Sequence, residues 1–456
     1  MDSVGIVIAR RPPSESAFEF ELEGDAAPGD FVEVPVEAGA LVARVVRVRV
    51  ENQYLAEAGV VRELRLGLRL PSAAALASAE VRVAKAEALG IVSGGSVLPP
   101  IQAPSPGSRV YRAAPETLRS LLGLAEGGVK LGRLWRHGLE VELDPERLFR
   151  HHAAVLGSTG SGKSYTCGVL AEEALERGLS VVVLDFHGEY SALGERYRTR
   201  VVRANQVKLE PGAVSPDAIA DATEMTDVQR DLLYLAFDEA EGPTLGDVER
   251  AAGRVAERYG FKRETLLAVL RRLRMLRAQR VFTGEGEPLF LSVGEAVVVD
   301  LGLGMPGGVT RALAGAIAWW LFEGRRAGEQ PPFLLIADEA HRLLPQGERA
   351  FSKTALRLVA REGRKFAASL VVASQRVVGL DKDVLSQCGT KIALRMDSPT
   401  DLAMLKPLLG KHARLLPRLP TGVALVAGVA VGYPVLVEVR RRRTSHGGSG
   451  SPLFAR

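Results

Sequence analysis

One segment of the chain has residue types and a spacing suited to binding nucleotide phosphates. In GSTGSGKS (157–164), three glycines are followed directly by Lys163 and Ser164. The glycines allow backbone N–H groups to converge on phosphate oxygens at the positive end of the following helix. Lys163 would reach the terminal phosphates, and Ser164 would hold Mg²⁺. The predicted ATP-binding residues of this segment are Gly157, Gly160, Ser161, Gly162, Lys163, Ser164 and Tyr165.

A second segment supplies the acidic groups that nucleotide hydrolysis requires. In FLLIADEAHRLLP (333–345), an apolar strand leads into Asp338 and Glu339, which we expect at the carboxyl edge of a parallel sheet. Asp338 would orient Mg²⁺ through water, and Glu339 would polarise the attacking water. Alternatively, the two acids cap the next helix. The complete phosphate loop favours the catalytic interpretation.

Three further side chains are candidates for completing the reaction site. Gln375 ends the apolar strand SLVVASQ, where it could position water or detect the terminal phosphate; the alternative is a polar residue at the start of a loop. Arg361 and Arg364 lie three residues apart on one face of a predicted helix. An arginine at a subunit boundary can complete a neighbour's site by stabilising transition-state charge.

These residues require a parallel sheet whose strands alternate with helices. From about residue 110, the apolar strands are HAAVL, SVVVLD (180–185), AVVVDL (296–301), FLLIAD (333–338) and SLVVAS (369–374). They predict an α/β fold, a P-loop ATPase core with a mainly parallel sheet covered on both faces. Residues from about 215 to 282 lack strands and predict a helical insertion. Its arginine-rich helix (264–280) has either a solvated face, which we favour, or a DNA-facing surface.

The first hundred residues predict a small β-barrel. The strands alternate polar and apolar residues: VGIVIA (4–9), FEFEL (18–22), DFVEVPV (30–36), VVRVRV (45–50) and ELRLGLRL (63–70). A proline- and glycine-rich passage, LPPIQAPSPGSR (98–109), then predicts a linker. The predicted organisation is a barrel over 1–100, an ATPase core over 110–445 and a flexible tail over 446–456.

The composition is that of an ordinary globular protein. The 456 residues are 46% hydrophobic and 25% charged, enough for two or three domains. A net charge of +5 permits nucleic acid as a partner without requiring it. The cysteines, Cys167 and Cys388, lack metal-ligand spacing and predict a reducing interior. The absence of a signal-peptide pattern and of a long apolar run predicts a cytoplasmic protein with no membrane partner.

Several segments together resemble the HerA family of hexameric DNA translocases. They are GSTGSGKSYT (157–166), LDFHGEYSAL (184–193), IADEAHRLLP (336–345), LVAREGRKFAASLVVASQR (358–376) and VLSQCGTKIALRMDSPTDL (384–402). The stretches PGDFVEV (28–34) and NQYL (52–55) resemble the small barrel that this family shares with rotary ATP synthase subunits. The resemblance covers nearly the whole chain. HGEY, REGRK and LSQC in this order are more specific than the phosphate loop.

The resemblance implies a homo-hexamer with ATP and Mg²⁺ between neighbouring subunits and double-stranded DNA through the centre. It also implies a NurA-type nuclease as a partner in DNA end resection and recombinational repair. By their match to the family's motifs, Asp185 and Glu189 are expected to face the nucleotide. Arg364 is the first choice for the arginine that acts in trans, and Arg361 is the second.

Two parts of the chain depart from the family pattern. Relatives often have an arginine before the phosphate-loop strand, in a pattern like RHIAILG, so either Arg150 or His151 is expected to contact the nucleotide. The chain is short after its last strand, where Arg442 and Arg443 are candidate nucleotide contacts; the alternative is a solvated tail. The stretch QGERAFSK (346–353) is a candidate for the lining of a central pore.

These observations lead to a first function with two alternatives. The first is an ATP-driven translocase or helicase that grips duplex DNA through its phosphates without reading sequence. The second is an ATP-dependent ring scaffold that recruits a nuclease or another effector without processive translocation. A peptide-pumping or rotary ATPase would account for the barrel alone. HGEY and REGRK are not expected in that class, which disfavours it.

Overall fold

The computed structural model describes residues 3–52, 80–302 and 304–446, which fall into two compact units. The first unit comprises Met1–Ala125 with Arg136–Leu139, and the second comprises Glu126–Trp135 with Glu140–Arg456. The phosphate loop and every other candidate site residue belong to the second unit.

The first unit contains a six-stranded barrel. Its elements are β1 (Ser3–Ile8), β2 (Ala17–Leu22), β3 (Phe31–Val36), β4 (Gly39–Asn52), β5 (Glu80–Ser93), β6 (Ser96–Leu98), β7 (Arg109–Arg112) and α1 (Pro115–Leu122). Antiparallel pairing runs β2-β1-β7-β3-β4-β5 and closes through β2 and β5, while β6 extends from β5. Alternate residues, among them Phe20, Val34 and Leu41, are fully buried in the barrel. The predicted barrel is confirmed.

The end of the barrel differs from the sequence expectation. Strand β7 begins at Arg109, where the passage predicted as a linker ends, and pairs with both β1 and β3. The barrel therefore extends past residue 100, because a short strand after a proline-rich stretch is needed to close it. The long strand β5 was also missed. The predicted strand at 63–70 and residues 53–55 of NQYL lie outside the described residues.

The second unit is built on an eleven-stranded sheet. Its strands are β8 (Val129–Leu134), β9 (Glu140–Leu143), β10 (Ala153–Leu156), β11 (Ser180–Asp185), β12 (Thr199–Arg203), β13 (Ala296–Asp300), β14 (Phe333–Ala337), β15 (Ala368–Ser374), β16 (Thr390–Ala393), β17 (Val423–Gly428) and β18 (Val435–Val439). The order is β12-β13-β11-β14-β15-β10-β16-β17-β18-β8-β9. In this spatial order, the first seven strands, which end with β16, are parallel. The last four strands, β17, β18, β8 and β9, pair antiparallel. A mainly parallel α/β sheet is thus confirmed.

Helices accompany the parallel strands. They are α2 (Pro145–Arg150), α3 (Lys163–Glu176), α4 (Pro216–Ala222), α5 (Asp227–Asp238), α6 (Leu245–Tyr259), α7 (Arg263–Ala278), α8 (Gly307–Arg326), α9 (Phe351–Phe366), α10 (Lys382–Gln387) and α11 (Pro399–Leu409). The central strands β10, β11, β14 and β15 are buried along their whole length, as expected for a sheet covered on both faces. Among the described residues, no helix combines the length and apolar character needed to cross a membrane.

Helices α4 to α7 lie between β12 and β13, where the sequence predicted a helical insertion. Helix α7 buries Val269, Leu273 and Leu276. Its Arg274 and Arg277 lie within 4 Å of the Glu249 carboxylate in α6. The arginine-rich helix is therefore packed through an apolar face and tied to its neighbour by ion pairs, which favours the solvated-face interpretation.

Candidate active site

The phosphate loop connects β10 to α3 in the middle of the parallel sheet. Gly160 and Gly162 have φ angles of 72° and 107°, in the left-handed region that favours glycine. A Cβ on Gly157 would lie 2.5 Å from Ser161 Oγ, so this position also requires glycine. Ser161 Oγ donates to Ser158 O at 2.7 Å and stiffens the loop. The backbone conformation thus leaves a cradle at the amino end of α3, where phosphates bind.

Lys163, at the start of α3, and Asp338, at the end of β14, both lie beside this cradle. Lys163 Nζ donates to Ser158 O at 3.3 Å across the loop. Asp338, which follows β14, accepts from Ser164 Oγ at 3.4 Å and from Tyr190 OH at 3.2 Å. The Ser164 hydroxyl and the Asp338 carboxylate are thus adjacent.

Asp338 lies in a concentration of negative charge. Burial, with a smaller contribution from the Glu339, Glu189 and Asp185 carboxylates, raises the pKa of Asp338 to about 6. Glu189 Oε2 and Glu339 Oε2 are buried without a hydrogen-bond partner. A hard cation would relieve this charge, and oxygen donors are what Mg²⁺ prefers. The residues present therefore fit Mg²⁺ held by Ser164 and Asp338, with phosphates and water as its other ligands.

Glu339 occupies a strained backbone position at the edge of the sheet. Its φ and ψ are 44° and 43°, a left-handed conformation that is uncommon outside glycine, and its side chain is almost fully buried. Its backbone N–H donates to Asp338 Oδ1 at 2.9 Å. Its carboxylate lies 3.2 Å from His341 Nδ1 and 3.9 Å from His187 Nε2. An unbonded carboxylate oxygen next to the phosphate loop is suited to accepting a proton from water.

Gln375 lies within hydrogen-bond distance of the phosphate loop. Thr159 Oγ1 donates to Gln375 Oε1 at 2.5 Å, and the preceding Ser374 accepts from Gly157 N through its carbonyl at 3.3 Å. The end of β15 therefore contacts the first part of the phosphate loop, at Gly157 and Thr159. This position is compatible with detecting the terminal phosphate, the interpretation favoured from the sequence.

The two acids of the HGEY segment have different environments. Asp185 is 1% exposed and accepts from the backbone N–H groups of His187, Gly188 and Tyr190, so it shapes the turn that follows β11. Burial nevertheless raises the pKa of Asp185. Glu189 is half-buried and has the unpartnered oxygen noted above. Of the two, Glu189 is the one with an oxygen available to a ligand.

Arg150, His151 and Arg364 lie at the opposite edge of the sheet. Arg150 and His151 precede β10, whereas the phosphate loop follows it, and a four-residue strand is about 13 Å long. Arg364 is in the last turn of α9, directly before β15. Partial burial and the Arg364 guanidinium lower the pKa of His151. These three side chains are thus grouped together but separated from the phosphate loop of the same chain.

Arg361 and Arg150 are partly engaged within their own chain. Arg361 Nη2 lies 3.6 Å from Asp383 Oδ2, and its side chain is 61% exposed. Arg150 forms an ion pair with Glu146 one turn earlier in α2. Within the described residues, no acidic side chain pairs with the exposed Arg364. Arg364 is therefore the freest of the three arginines.

Arg442 and Arg443 lie along α3 and do not extend away as a solvated tail. The Arg442 side chain is 1% exposed, and its guanidinium lies against Gly168. Arg443 Nη1 lies 2.8 Å from Glu173 Oε1. Tyr165 OH accepts from Arg442 N at 2.7 Å, which directs the tyrosine toward this segment. The two arginines, expected as nucleotide contacts, are occupied by packing on α3 because the buried acids of α3 attract them.

The candidate pore stretch (346–353) includes the loop before α9 and the first residues of that helix. Arg349 is 92% exposed, whereas Lys353 Nζ donates to Pro345 O at 3.1 Å and lies 3.3 Å from Asp381 Oδ2. Of the two cations in this stretch, Arg349 alone projects into solvent.

Sequence reasoning missed four residues near the acidic pair. They are His187, Tyr190, His341 and Ser374. His187 and Tyr190 lie in the HGEY segment and His341 in DEAH, so membership of these segments was an available signal. Ser374 directly precedes Gln375 at the strand end.

Comparisons with known proteins find a matching family model and relatives of similar length. Residues 129–303 match the family described as Helicase HerA, central domain. The chain is 26% identical to the DNA double-strand break repair helicase HerA of Pyrococcus furiosus, over 99% of this chain and 94% of that protein. It is 27% identical to the protein of the same description from Sulfurisphaera tokodaii, over 79% and 78% of the two chains.

Solved structures share the fold. VirB4 of Thermoanaerobacter pseudethanolicus has a TM-score of 0.56 and 18% identity, covering 70% of this chain and 98% of VirB4. The plasmid coupling protein TrwB in complex with the non-hydrolysable GTP analogue GDPNP has a TM-score of 0.54 and 15% identity, covering 78% and 95%. Most of the chain thus shares the fold of VirB4 and TrwB.

Proposed function

We propose that this chain, which is similar to HerA helicases over nearly its whole length, hydrolyses ATP to drive movement along double-stranded DNA. The observation that supports this most strongly is the buried acidic pair beside the phosphate loop. Asp338 lies against Ser164, and Glu339 keeps a buried oxygen without a partner. This separation of a metal-orienting acid from a water-activating acid is the arrangement that hydrolysis requires.

Each residue has one task in the proposed reaction. Lys163 and the loop N–H groups bind the terminal phosphates, and Ser164 and Asp338 hold Mg²⁺, which neutralises phosphate charge when it is bound. Glu339 accepts the proton of the attacking water, and Gln375 detects the phosphate that is transferred. Glu189 would be a further acidic group with an oxygen available to a ligand. The same chain provides every group at this edge of the sheet.

The proposed active unit is a homo-hexameric ring. Arg364, with Arg150 and His151 beside it, is too far along the sheet to reach the phosphate loop of its own chain. We assign it to the site of a neighbouring subunit, where a guanidinium would stabilise charge on the transferred phosphate. Arg361, already near Asp383, is the second choice. A closed ring gives every subunit one neighbour on each side.

The proposed substrate is duplex DNA, with a NurA-type nuclease as partner in end resection. Two relatives are described as DNA double-strand break repair helicases. A motor that steps along any sequence must hold the backbone, so phosphate contacts should dominate. The exposed Arg349, shortly after the acidic pair, is the candidate contact. The proposal includes a cytoplasmic location, where DNA is present and the two free cysteines stay reduced.

ATPase activity measured with and without linear duplex DNA tests the proposal. We expect duplex DNA to stimulate hydrolysis, and the stimulation to fall as salt rises from about 50 to 200 mM because phosphate contacts release counterions. Glu339→Gln should reduce kcat by about 10³-fold or more, since the amide cannot take the proton. It should still bind a fluorescent ATP analogue, because it leaves the loop intact.

Single-molecule tracking on DNA separates a motor from a scaffold. Directional movement that requires ATP and stops in Glu339→Gln supports the proposal. Tethering of an effector with no directional movement would identify the scaffold function. ATP hydrolysis that ignores duplex DNA at every salt concentration would overturn DNA as the substrate.

A further inference from the structure

We infer that His341 is a positioning residue for Glu339 and connects it to the end of β15. The inference rests on the proposed ATP hydrolysis. His341 Nδ1 lies 3.2 Å from Glu339 Oε2 and 3.3 Å from Ser374 Oγ. One ring nitrogen thus faces both the group that would activate water and the strand that ends in Gln375.

The surrounding hydrogen bonds place the proton of the imidazole. Ser374 Oγ donates its single proton to Arg376 O at 3.0 Å and accepts from Arg376 N at 3.1 Å. With its proton directed at Arg376 O, Ser374 Oγ accepts from His341. A bare lone pair on Nδ1 would also be repelled by the Glu339 carboxylate. Burial lowers the pKa of His341, so the ring is neutral and has one proton, on Nδ1.

Glu339 needs such a partner because little else fixes its carboxylate. Its backbone is left-handed, and Oε2 is buried without a directed hydrogen bond. His341 Nδ1–H directs its hydrogen bond at Ser374 Oγ, and the same nitrogen lies close to Glu339 Oε2. His341 thus fixes the carboxylate by close approach and leaves Oε2 free to accept from water. A side chain placed this way restricts orientation without consuming the basic oxygen.

Ser374 extends this connection to the phosphate loop. Its carbonyl accepts from Gly157 N at 3.3 Å, and the next residue, Gln375, accepts from Thr159 Oγ1. A displacement of the β15 end by the terminal phosphate would therefore be passed through Ser374 and His341 to Glu339. Phosphate detection and water activation would then be one coupled event.

Steady-state ATPase kinetics of position 341 variants test the inference. Asparagine places an amide N–H near the position of Nδ1, whereas glutamine places it near Nε2. We expect His341→Ala and His341→Gln to lower kcat by about 10- to 100-fold with KM changed less than about 2-fold, and His341→Asn to retain most of kcat. Ser374→Ala should lower kcat less, and its effect should be non-additive with His341→Ala.

Thermal unfolding and binding of a fluorescent ATP analogue distinguish positioning from simple loss of structure. Rescue by asparagine but not glutamine, at unchanged nucleotide affinity, supports the inference. Equal activity in all three position 341 variants, or a loss that appears in KM and affinity, overturns it. Failure of the proposed function looks different, because wild-type protein would then lack ATPase activity or Glu339→Gln would leave it intact.

Discussion

The two edges of the large parallel sheet contrast in the charge of the side chains that they bring together. At the carboxyl edge, the phosphate loop, Asp338 and Gln375 are joined by hydrogen bonds within one chain. At the amino edge, His151 and Arg364 are grouped with no acidic partner for Arg364 among the described residues. Both edges belong to the same strands, β10 and β15.

The contrast teaches what one subunit lacks. In the proposed reaction, the carboxyl edge has the groups that would bind phosphates, hold Mg²⁺ and activate water, but beyond Lys163 no cationic side chain there is assigned to the charge that develops on the transferred phosphate. The amino edge has Arg364, which has no acidic partner among the described residues, and no phosphate cradle. Each edge provides what the other is missing, and the length of the strands prevents them from meeting within one chain. A second copy of the chain would bring them together.

Among the changes that compare the two edges, removing the Arg364 guanidinium should have the largest effect. We expect Arg364→Ala to lower kcat by about 10²- to 10³-fold while leaving nucleotide binding to its own loop intact, because the guanidinium stabilises charge only in the transition state. Mixing it with Lys163→Ala protein should restore activity, since some interfaces then combine an intact loop with an intact arginine. ATPase assays across mixing ratios measure this recovery.

Arg361→Ala is the matched control, because this arginine lies on the same helix face but near Asp383. Its effect on kcat should be smaller than that of Arg364→Ala. Mixed assemblies that contain both subunit types yet regain no activity would show that Arg364 does not act across a boundary. A larger loss in Arg361→Ala would exchange the roles of the two arginines.

The sequence was sufficient for the elements whose chemistry is local. The barrel strands follow from period-two alternation, and the parallel sheet follows from continuous apolar strands, because burial on one face or on two leaves a direct pattern in the chain. The strand at 109–112 could not be predicted in the same way. It has only four residues, and its reason for being extended is pairing with β1 and β3, far away in sequence.

Within the site, local motifs were enough to identify the phosphate loop and the acidic pair. They were not enough to place the surrounding residues. The loop and the acidic pair lie together because parallel strands end at one edge. Arg442 is different, since its burial depends on acids in α3 that only the fold brings close. His341 was missed because its contact with Ser374 joins two strands. Arg150 lies at one edge of the sheet or the other depending on where β10 begins. The family pattern before the phosphate loop does not specify where that strand begins.

Burial, together with the neighbouring carboxylates of the carboxyl edge, should make the charged form of Asp338 costly to stability. Because its pKa is raised from 3.8 to about 6, the folded state holds the proton more tightly than the unfolded state, and stability falls as pH rises between these values. We expect Asp338→Asn to be more stable than wild type by about 2–3 kcal/mol at pH 7 without Mg²⁺. Denaturant unfolding at pH 7 and at pH 4, where the gain should largely vanish, measures this.

Asp381→Asn is the control of opposite sign. Burial alone would raise the pKa of Asp381, but hydrogen bonds, chiefly from Arg357, lower it overall. The Asp381 carboxylate therefore stabilises the fold above its unfolded pKa, and this contribution is lost on acidification. Its amide should therefore destabilise the protein at pH 7. If Asp338→Asn also proves less stable than wild type there, the carboxyl edge does not contain unbalanced negative charge.

The smallest expected effect concerns the support of the phosphate-loop helix. A Cβ on Gly168 would lie 2.6 Å from Arg442 Cζ, and that guanidinium is buried, so it cannot move away freely. Gly168→Ala should destabilise the protein by about 1 kcal/mol despite alanine's helix preference, whereas Gly253→Ala in α6, with no neighbour within 4 Å, should stabilise it by a similar amount. Thermal unfolding compares them. A stabilised Gly168→Ala would show that the C-terminal segment is not held against α3, and the carboxyl edge would then be less completely fixed within one chain than its hydrogen bonds indicate.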